Sequence, residues 1–481
     1  MRSLSPRRKA IILVSCCLSL LIVSMDATIV NVAIPNIRAD LGATASQLQW
    51  VIDIYTLVLA SLLLLAGAAG DRFGRRRTFQ IGLTVFAVGS LMCSLAPNIE
   101  TLIAARLVQA IGGSMMNPVA MSIITQVFTG RVERARAIGI WGGVVGISMA
   151  LGPIVGGALI QYVDWRAVFW INLPICAVAI VLTAIFVPES KSVWMRDVDP
   201  VGQGLGMAFL FGLVYVLIEG PNFGWADVRT IAVAVVTVLA LIGFLVYESR
   251  RHDPFIDLRF FRSIPFASAT MIAVCAFAAW GAFLFMMSLY LQEERGFSAM
   301  NTGLIYLPVA IGALVFSPLS GRMVGRFGGR PSMVIAGTLI TAAAALLATL
   351  TASTPVWQLL VIFAVFGVGF SMVNAPITTA AVSGMPTDRA GAASAVASTS
   401  RQVGVSLGVA LCGSVAGSAL ATKGADFAVA ARPLWLICAV RGLVIVALGI
   451  YSTSARGLRS ADRLAPLIAG DDAQREIADV R

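Results

Sequence analysis

Apolar residues fill this chain in blocks of the length an α-helix needs to cross a bilayer, about 17–25 residues, and short segments rich in Gly, Pro and Arg separate them. The blocks fall near 11–35, 47–69, 78–96, 101–124, 136–160, 167–187, 203–219, 228–247, 268–291, 301–320, 332–351, 358–380, 392–420 and 431–452. Fourteen transmembrane helices are therefore expected, in an all-α integral membrane fold.

Composition agrees with that pattern. The chain is 58% hydrophobic and 12% charged, against roughly 25% charged in soluble domains. A net charge of +11 would suit nucleic acid if the basic residues formed one patch, but they sit in short loops between apolar blocks, so no nucleic-acid partner is expected. Lys and Arg accumulate in cytoplasmic loops. They concentrate before block 1, in 71–77, 131–136, 250–262 and 322–330, and after 453, while the alternate segments hold only Arg38, Arg166, Arg229, Arg295, Lys423 and Arg432. Both termini are thus expected to be cytoplasmic. The start resembles a secretory signal, yet its apolar run continues to Pro35 without a small-residue cleavage site, so a retained first helix is expected. The seven cysteines fall in apolar runs without metal-ligand spacing, and no disulfide is expected.

A repeat organises the blocks. Gly67 opens GAAGDRFGRRR after block 2, and Gly321 opens GRMVGRFGGR after block 10. Two such loops, each joining the second and third helix of a set, imply two six-helix bundles. The expected division is a cytoplasmic N-terminus (1–10), a first bundle (11–187), a linker carrying two inserted helices (188–264), a second bundle (265–452) and a cytoplasmic tail (453–481).

Ionisable residues inside the apolar blocks are costly, and by default they mark function. Asp26 stands in the middle of block 1. Desolvation and a nearby cation pull a carboxyl group's proton affinity in opposite directions, which makes Asp26 the candidate proton carrier. Arg106 in block 4 cannot lose its charge and needs a partner there, an inward-facing carboxylate or a helix-end carbonyl; the alternative for a pair with Asp26 is a purely structural ion pair fixing helix register. Asp53 in block 2 could hold a lipophilic cation with the aromatic faces of Trp50 and Tyr55, or share the proton duty, the alternative being an aspartate hydrogen-bonded close to the outer interface. Glu219 ends a block and reads as interfacial. Asn31, Gln109, Asn117, Asn172 and Asn374 are polar candidates in or near apolar runs, and Trp280, Phe283, Met286, Met287 and Tyr290 give block 9 the adaptable surface of an apolar pocket. Glycines of block 5 recur at four-residue spacing (Gly139 and Gly143, Gly142 and Gly146, Gly152 and Gly156), permitting close helix approach, and Pro153 permits a kink.

Four separated motifs carry a resemblance to the major facilitator superfamily, and within it to the fourteen-spanner drug:proton antiporters. Gly67, Asp71, Arg72, Gly74, Arg75 and Arg76 resemble the loop motif G-x-L-A-D-R-x-G-R-K/R. Arg106-Leu-Val-Gln109-Ala-Ile-Gly112-Gly113 resembles R-x-x-Q-G-x-G, with Ala110 in place of its first glycine. Gly139, Ser148 and Gly152-Pro153-Ile-Val-Gly156-Gly157 resemble the antiporter signature, with one glycine changed to serine. Asp26-Ala-Thr28-Ile-Val-Asn31-Val-Ala-Ile-Pro35 resembles the first-span motif. The resemblance implies that Arg106 assists proton exchange, that the block 5 glycines with Pro153 seal the two bundles together, and that the Asp71–Arg77 cluster latches one conformation. Gly325 replaces the acid in the second loop, so no equal latch is expected there.

The expected function is proton-coupled export of lipophilic, often cationic compounds from the cytoplasm across the cell membrane, driven by the proton gradient without a cofactor or metal, by a protein working as a monomer. A permease or exporter for one metabolite, siderophore or lipid on the same fold is the alternative. Enzyme chemistry is disfavoured because the single histidine, His252, lies in an Arg-rich loop. ATP-driven pumping is disfavoured because none of Lys9, Lys191 and Lys423 ends a phosphate-binding loop.

Overall fold

The computed structural model describes residues 5–191, 199–251, 256–385, 390–421, 427–464 and 466. Helices fall on every expected block: α1 Pro6–Leu41, α2 Ala45–Phe73, α3 Arg75–Ser94, α4 Ile99–Val127, α5 Arg131–Tyr162, α6 Ala167–Phe186, α7 Pro200–Phe223, α8 Val228–Arg250, α9 Ile264–Glu294, α10 Ala299–Phe327, α11 Gly329–Leu347, α12 Val356–Val382, α13 Ala390–Ala421 and α14 Phe427–Ser452. A short α15, Ala455–Asp462, follows. Among the described residues, eleven helices are long and apolar enough to cross a membrane by length and composition. Of the other three, α3 opens on Arg75-Arg76-Arg77, which lowers its mean hydropathy, and α5 carries a shorter apolar stretch, Ile147–Tyr162. No strand occurs among the described residues.

Helix ends follow local chemistry. Ser5 and Asn98 cap α1 and α4 through their side chains, and Thr44 with Gln47 forms a reciprocal capping box on α2, satisfying backbone N–H groups that a helix start leaves bare. Gly74 makes the sharp break between α2 and α3 at φ +113, where a Cβ would also stand 2.7 Å from the Glu189 carboxylate. The last turn of α9, Tyr290–Glu294, is a π-helix, a local one-residue widening frequent at functional positions.

Packing sorts the helices. Within α1–α6, α3 and α2 lie on α4, and α1 lies on α5 and α6; within α9–α14, α9 packs on α13 and α14, α11 on α14 and α12, and α10 on α12. The two sets meet at α2 with α13, α5 with α10 and α1 with α9. Helix α9 is buried almost along its whole length. The pair α7–α8 stands outside both sets, with α7 against α2 and α13.

The two ends of this bundle differ. At the end where α1 finishes, Arg38 pairs with Glu293 at 2.8 Å, Asn36 donates to Gln292 at 3.1 Å, and the Gln292 amide donates to the Val32 carbonyl at 2.9 Å. On the α5–α10 seam the backbones touch at that same end, where a Cβ on Gly157 would lie 2.4 Å from the Ala299 oxygen and one on Gly303 2.5 Å from the Pro153 oxygen. About five helical turns away on the same faces, Gly139 and Gly143 of α5 and Gly321 and Gly325 of α10 have nothing within 4 Å of an added Cβ. The seam is a wedge, clasped where α1 ends and open where α1 begins. Gly139 and Gly143 therefore do not serve the close packing expected of them, while Gly152 and Gly156 do, against Thr28 and Ile29 of α1.

Candidate functional site

Asp26 on α1 and Arg106 on α4 face each other and form an ion pair through Oδ2 and Nη1, with side chains 0% and 1% exposed. The other carboxylate oxygen, Oδ1, accepts from Gln109 Nε2 at 2.8 Å and Asn172 Nδ2 at 3.1 Å. Ser90 of α3 accepts from the same two amides at 2.8 and 3.3 Å. Arg106 spreads its remaining donors to the Gln109 Oε1 at 2.7 Å and the Val51 carbonyl at 3.1 Å, and its guanidinium lies 4.1 Å over the Tyr55 ring. Helices α4 and α6 thus reach the carboxylate of α1 directly, and Ser90 of α3 braces the two amides that bind it. A buried charge pair survives only when its remaining lone pairs and protons are met in this way.

Asn172 and Ser90 complete this network, and neither stood out as a partner of Asp26 in the sequence. Asn172 was visible as a polar residue at the edge of an apolar run, whereas one serine in a transmembrane helix carries no signal. Asn172→Ala removes a hydrogen bond to a charged group, worth about 1.5–3 kcal/mol, so a lower unfolding midpoint in detergent is expected; an unchanged midpoint would remove Asn172 from the network.

Asp53 is equally buried, yet neither of its oxygens has a hydrogen-bond partner. It faces α13 near Ser406, one turn from Gln49, whose amide donates to the Val409 carbonyl. In this conformation it lies sealed in the α2–α13 seam rather than on an open wall. The aromatic faces expected beside it are also engaged: Tyr55 by Arg106, and Trp50 by α7, where its indole donates to Glu219 at 2.9 Å and its ring lies 6.3 Å from Tyr215. Glu219 therefore has a defined partner, beyond the interfacial position expected of it.

Trp280 stacks on Phe370 at 4.5 Å, and Phe283 on Phe366 at 4.1 Å, in a ladder between α9 and α12; Met286 is fully buried nearby on α9. These residues pack the second set's interior here. Asn31 donates to the Ala27 carbonyl, with its Oδ1 unmatched, and Asn117 also has a buried, unmatched Oδ1. Asn374 is partly exposed on α12.

The charged loop is tied to its own set in this conformation. Asp71 pairs with Arg75 at 2.8 Å, Arg75 donates to Gln126, Arg76 donates to the Ala184 carbonyl, and the Arg76 N–H reaches Glu189. Arg72 lies over the Phe73 ring. Gly67 and Gly70 sit where α2 crosses Pro118 and Val119 of α4. Glu189 is the partner the sequence reading missed, since it lies more than a hundred residues away.

A helical bundle embedded in the membrane, with a sealed ion pair between facing helices and two helix sets that part at one end, is the architecture of a membrane transporter. A model of the Major Facilitator Superfamily matches residues 16–409, and the chain belongs to that superfamily. It is a multi-pass protein of the cell membrane. Relatives include the multidrug resistance protein Stp of Mycobacterium tuberculosis (strain CDC 1551 / Oshkosh), 35% identical over 85% of this chain and 76% of that one. The tetracenomycin C resistance and export protein of Streptomyces glaucescens is 36% identical over 83% and 74%. The multidrug efflux pump LfrA of Mycolicibacterium smegmatis is 31% identical over 85% and 81%. Among solved structures, a bacterial homologue of the human lysosomal transporter Spinster, in an inward-facing and unoccupied conformation, superposes with a TM-score of 0.64 over 96% of this chain and 99% of that one. Its 16% identity makes that a likeness of fold.

Proposed function

We propose that the protein exports lipophilic, often cationic compounds in exchange for protons, by alternating access between its two six-helix bundles. On this reading it has fourteen spans and cytoplasmic termini, works as a monomer, uses no cofactor beyond the proton gradient, and is described here open to the cytoplasm. The observation that carries the proposal is the Asp26–Arg106 pair, sealed from water and surrounded by donors. A proton arriving on Asp26 would cancel the anion that Arg106 faces, leaving the arginine on Gln109, Val51 and the Tyr55 ring alone, and so would loosen α1 from α4. Helix α1 also carries Asn36 and Arg38 to the clasp on α9, so the group that takes the proton and the contact that shuts the far mouth share one helix.

Asp53 keeps the role of cation recognition, exercised when α2 and α13 turn against each other and bring its carboxyl group to the central path. An ionised carboxylate without donors is expensive in a sealed seam, so a cationic substrate reaching it would relieve that cost. The test is transport of a cationic dye and of a neutral substrate in proteoliposomes across an imposed pH gradient. Uptake that follows the gradient and collapses with an uncoupler is expected, and gradient-independent movement would sink the proposal. Asp53→Asn is expected to cut cationic transport about tenfold while largely sparing the neutral substrate; equal losses would remove charge recognition from Asp53.

A further inference from the structure

Helix α7 lies along the α2–α13 seam and is bonded to both sides of it. Toward α2, the Gln203 amide donates to the Ser61 carbonyl at 3.2 Å, and Trp50 donates to Glu219 near the other end of α7. Toward α13, the Ser414 hydroxyl donates to the Leu217 carbonyl at 2.6 Å. Between these contacts Leu57 of α2, Val214 and Ile218 of α7 and Ala410 of α13 close into one buried apolar cluster. Beneath α7, α2 and α13 also touch at well-separated levels: Gln49 with the Val409 carbonyl, and Thr399 with the Ala60 carbonyl at 3.4 Å. The opposite seam, α5 with α10, is in close backbone contact at Gly157 and Gly303 and stands open at Gly139, Gly143, Gly321 and Gly325.

We infer that the inserted helix α7 is a hinge strap: it holds the α2–α13 seam together through the transport cycle, so that the bundles open and close by splaying the α5–α10 side. The inference rests on the alternating-access reading and adds which side moves. An unstrapped pair of bundles could part along both seams. Here a helix spanning the membrane is packed into one of them, and separation along that line would break bonds to two helices and expose the apolar cluster at once. The strapped seam turns while remaining in contact, and the α5–α10 seam becomes the side through which a lipid-dissolved substrate enters the open mouth.

The test uses a full-length chain with its seven cysteines replaced. One variant carries Leu217→Cys and Ser414→Cys, bridged by a flexible bifunctional maleimide; a second carries Arg38→Cys and Glu293→Cys, joined as a disulfide. Bridging α7 to α13 is expected to leave at least half of the gradient-driven dye transport, whereas joining residues 38 and 293 is expected to lower it tenfold or more, recoverable with reductant. Transport lost on bridging 217 to 414 would overturn the inference. Spin labels decide the matter without transport: 143 with 325 is expected to give two distances whose proportions change with pH, and 217 with 414 a single one. If dye moves in no variant, the transporter reading fails while these distances still judge the hinge. A fixed 143–325 separation, or a split 217–414 distribution, overturns it.

Discussion

Asp26→Asn is expected to lower gradient-driven transport at least tenfold and to destabilise the protein by about 3 kcal/mol, the usual cost of stripping one member from a buried ion pair. The two effects have separate causes. Destabilisation follows from Arg106 keeping its charge in a site 1% exposed with no anion opposite it. Loss of transport follows, on the proposed coupling, from removing the group that would gain and lose a proton. A second variant distinguishes them: Asp26→Asn with Arg106→Gln leaves no unpaired charge, so thermal stability is expected to return while gradient-driven transport stays absent. If the double variant regains both, the pair only holds helices in register, and proton coupling lies elsewhere.

The second large effect is predicted on the clasped end of the α5–α10 seam. Gly157→Leu places a Cβ 2.4 Å from the Ala299 backbone oxygen, an atom that cannot rotate away as a side chain could. Overpacking of this kind costs about 1–3 kcal/mol, and about 1.4 kcal/mol is a tenfold change in an equilibrium, so the conformation closed at that end should be depleted roughly ten- to a hundredfold. Transport is expected to fall because the proposed alternating-access cycle would pass through it. Since the contact belongs to one conformation and not to the helices themselves, the unfolding midpoint is expected to change little. A cysteine reporter at position 38 should label faster in the variant. Unchanged labelling together with unchanged transport would show that the close approach of Gly157 to Ala299 is incidental to closure.

Much of the architecture could be read directly from hydropathy. Every expected block coincides with a helix, because a run of apolar residues in lipid has no other way to satisfy its backbone. Pairing Asp26 with Arg106 needed only the cost of isolated charges in a low-dielectric medium. What hydropathy could not supply was rotation and neighbourhood. Tyr55 read as an aromatic face available to a cation, and it does receive one, but that cation is Arg106; the choice depends on how α2 turns toward α4, which an almost uniformly apolar helix does not encode. Asn172 and Glu189 were visible as residues, while their partners lie on helices that only packing brings alongside. The same holds for Gly139 and Gly143, whose spacing matches that of Gly152 and Gly156 although they face open space.

The π-helical turn at Tyr290–Glu294 makes the number of residues in α9 matter. An α-helix advances by about 100° per residue, and a π turn takes up one residue beyond regular winding, so the faces on its two sides stay in phase despite the extra residue. A single codon lost elsewhere in α9 would swing Gln292 and Glu293 round the axis, away from Asn36 and Arg38, while removing none of their side chains. Along α9, tolerance of a one-residue deletion should therefore be greatest at this turn, which has a residue to spare.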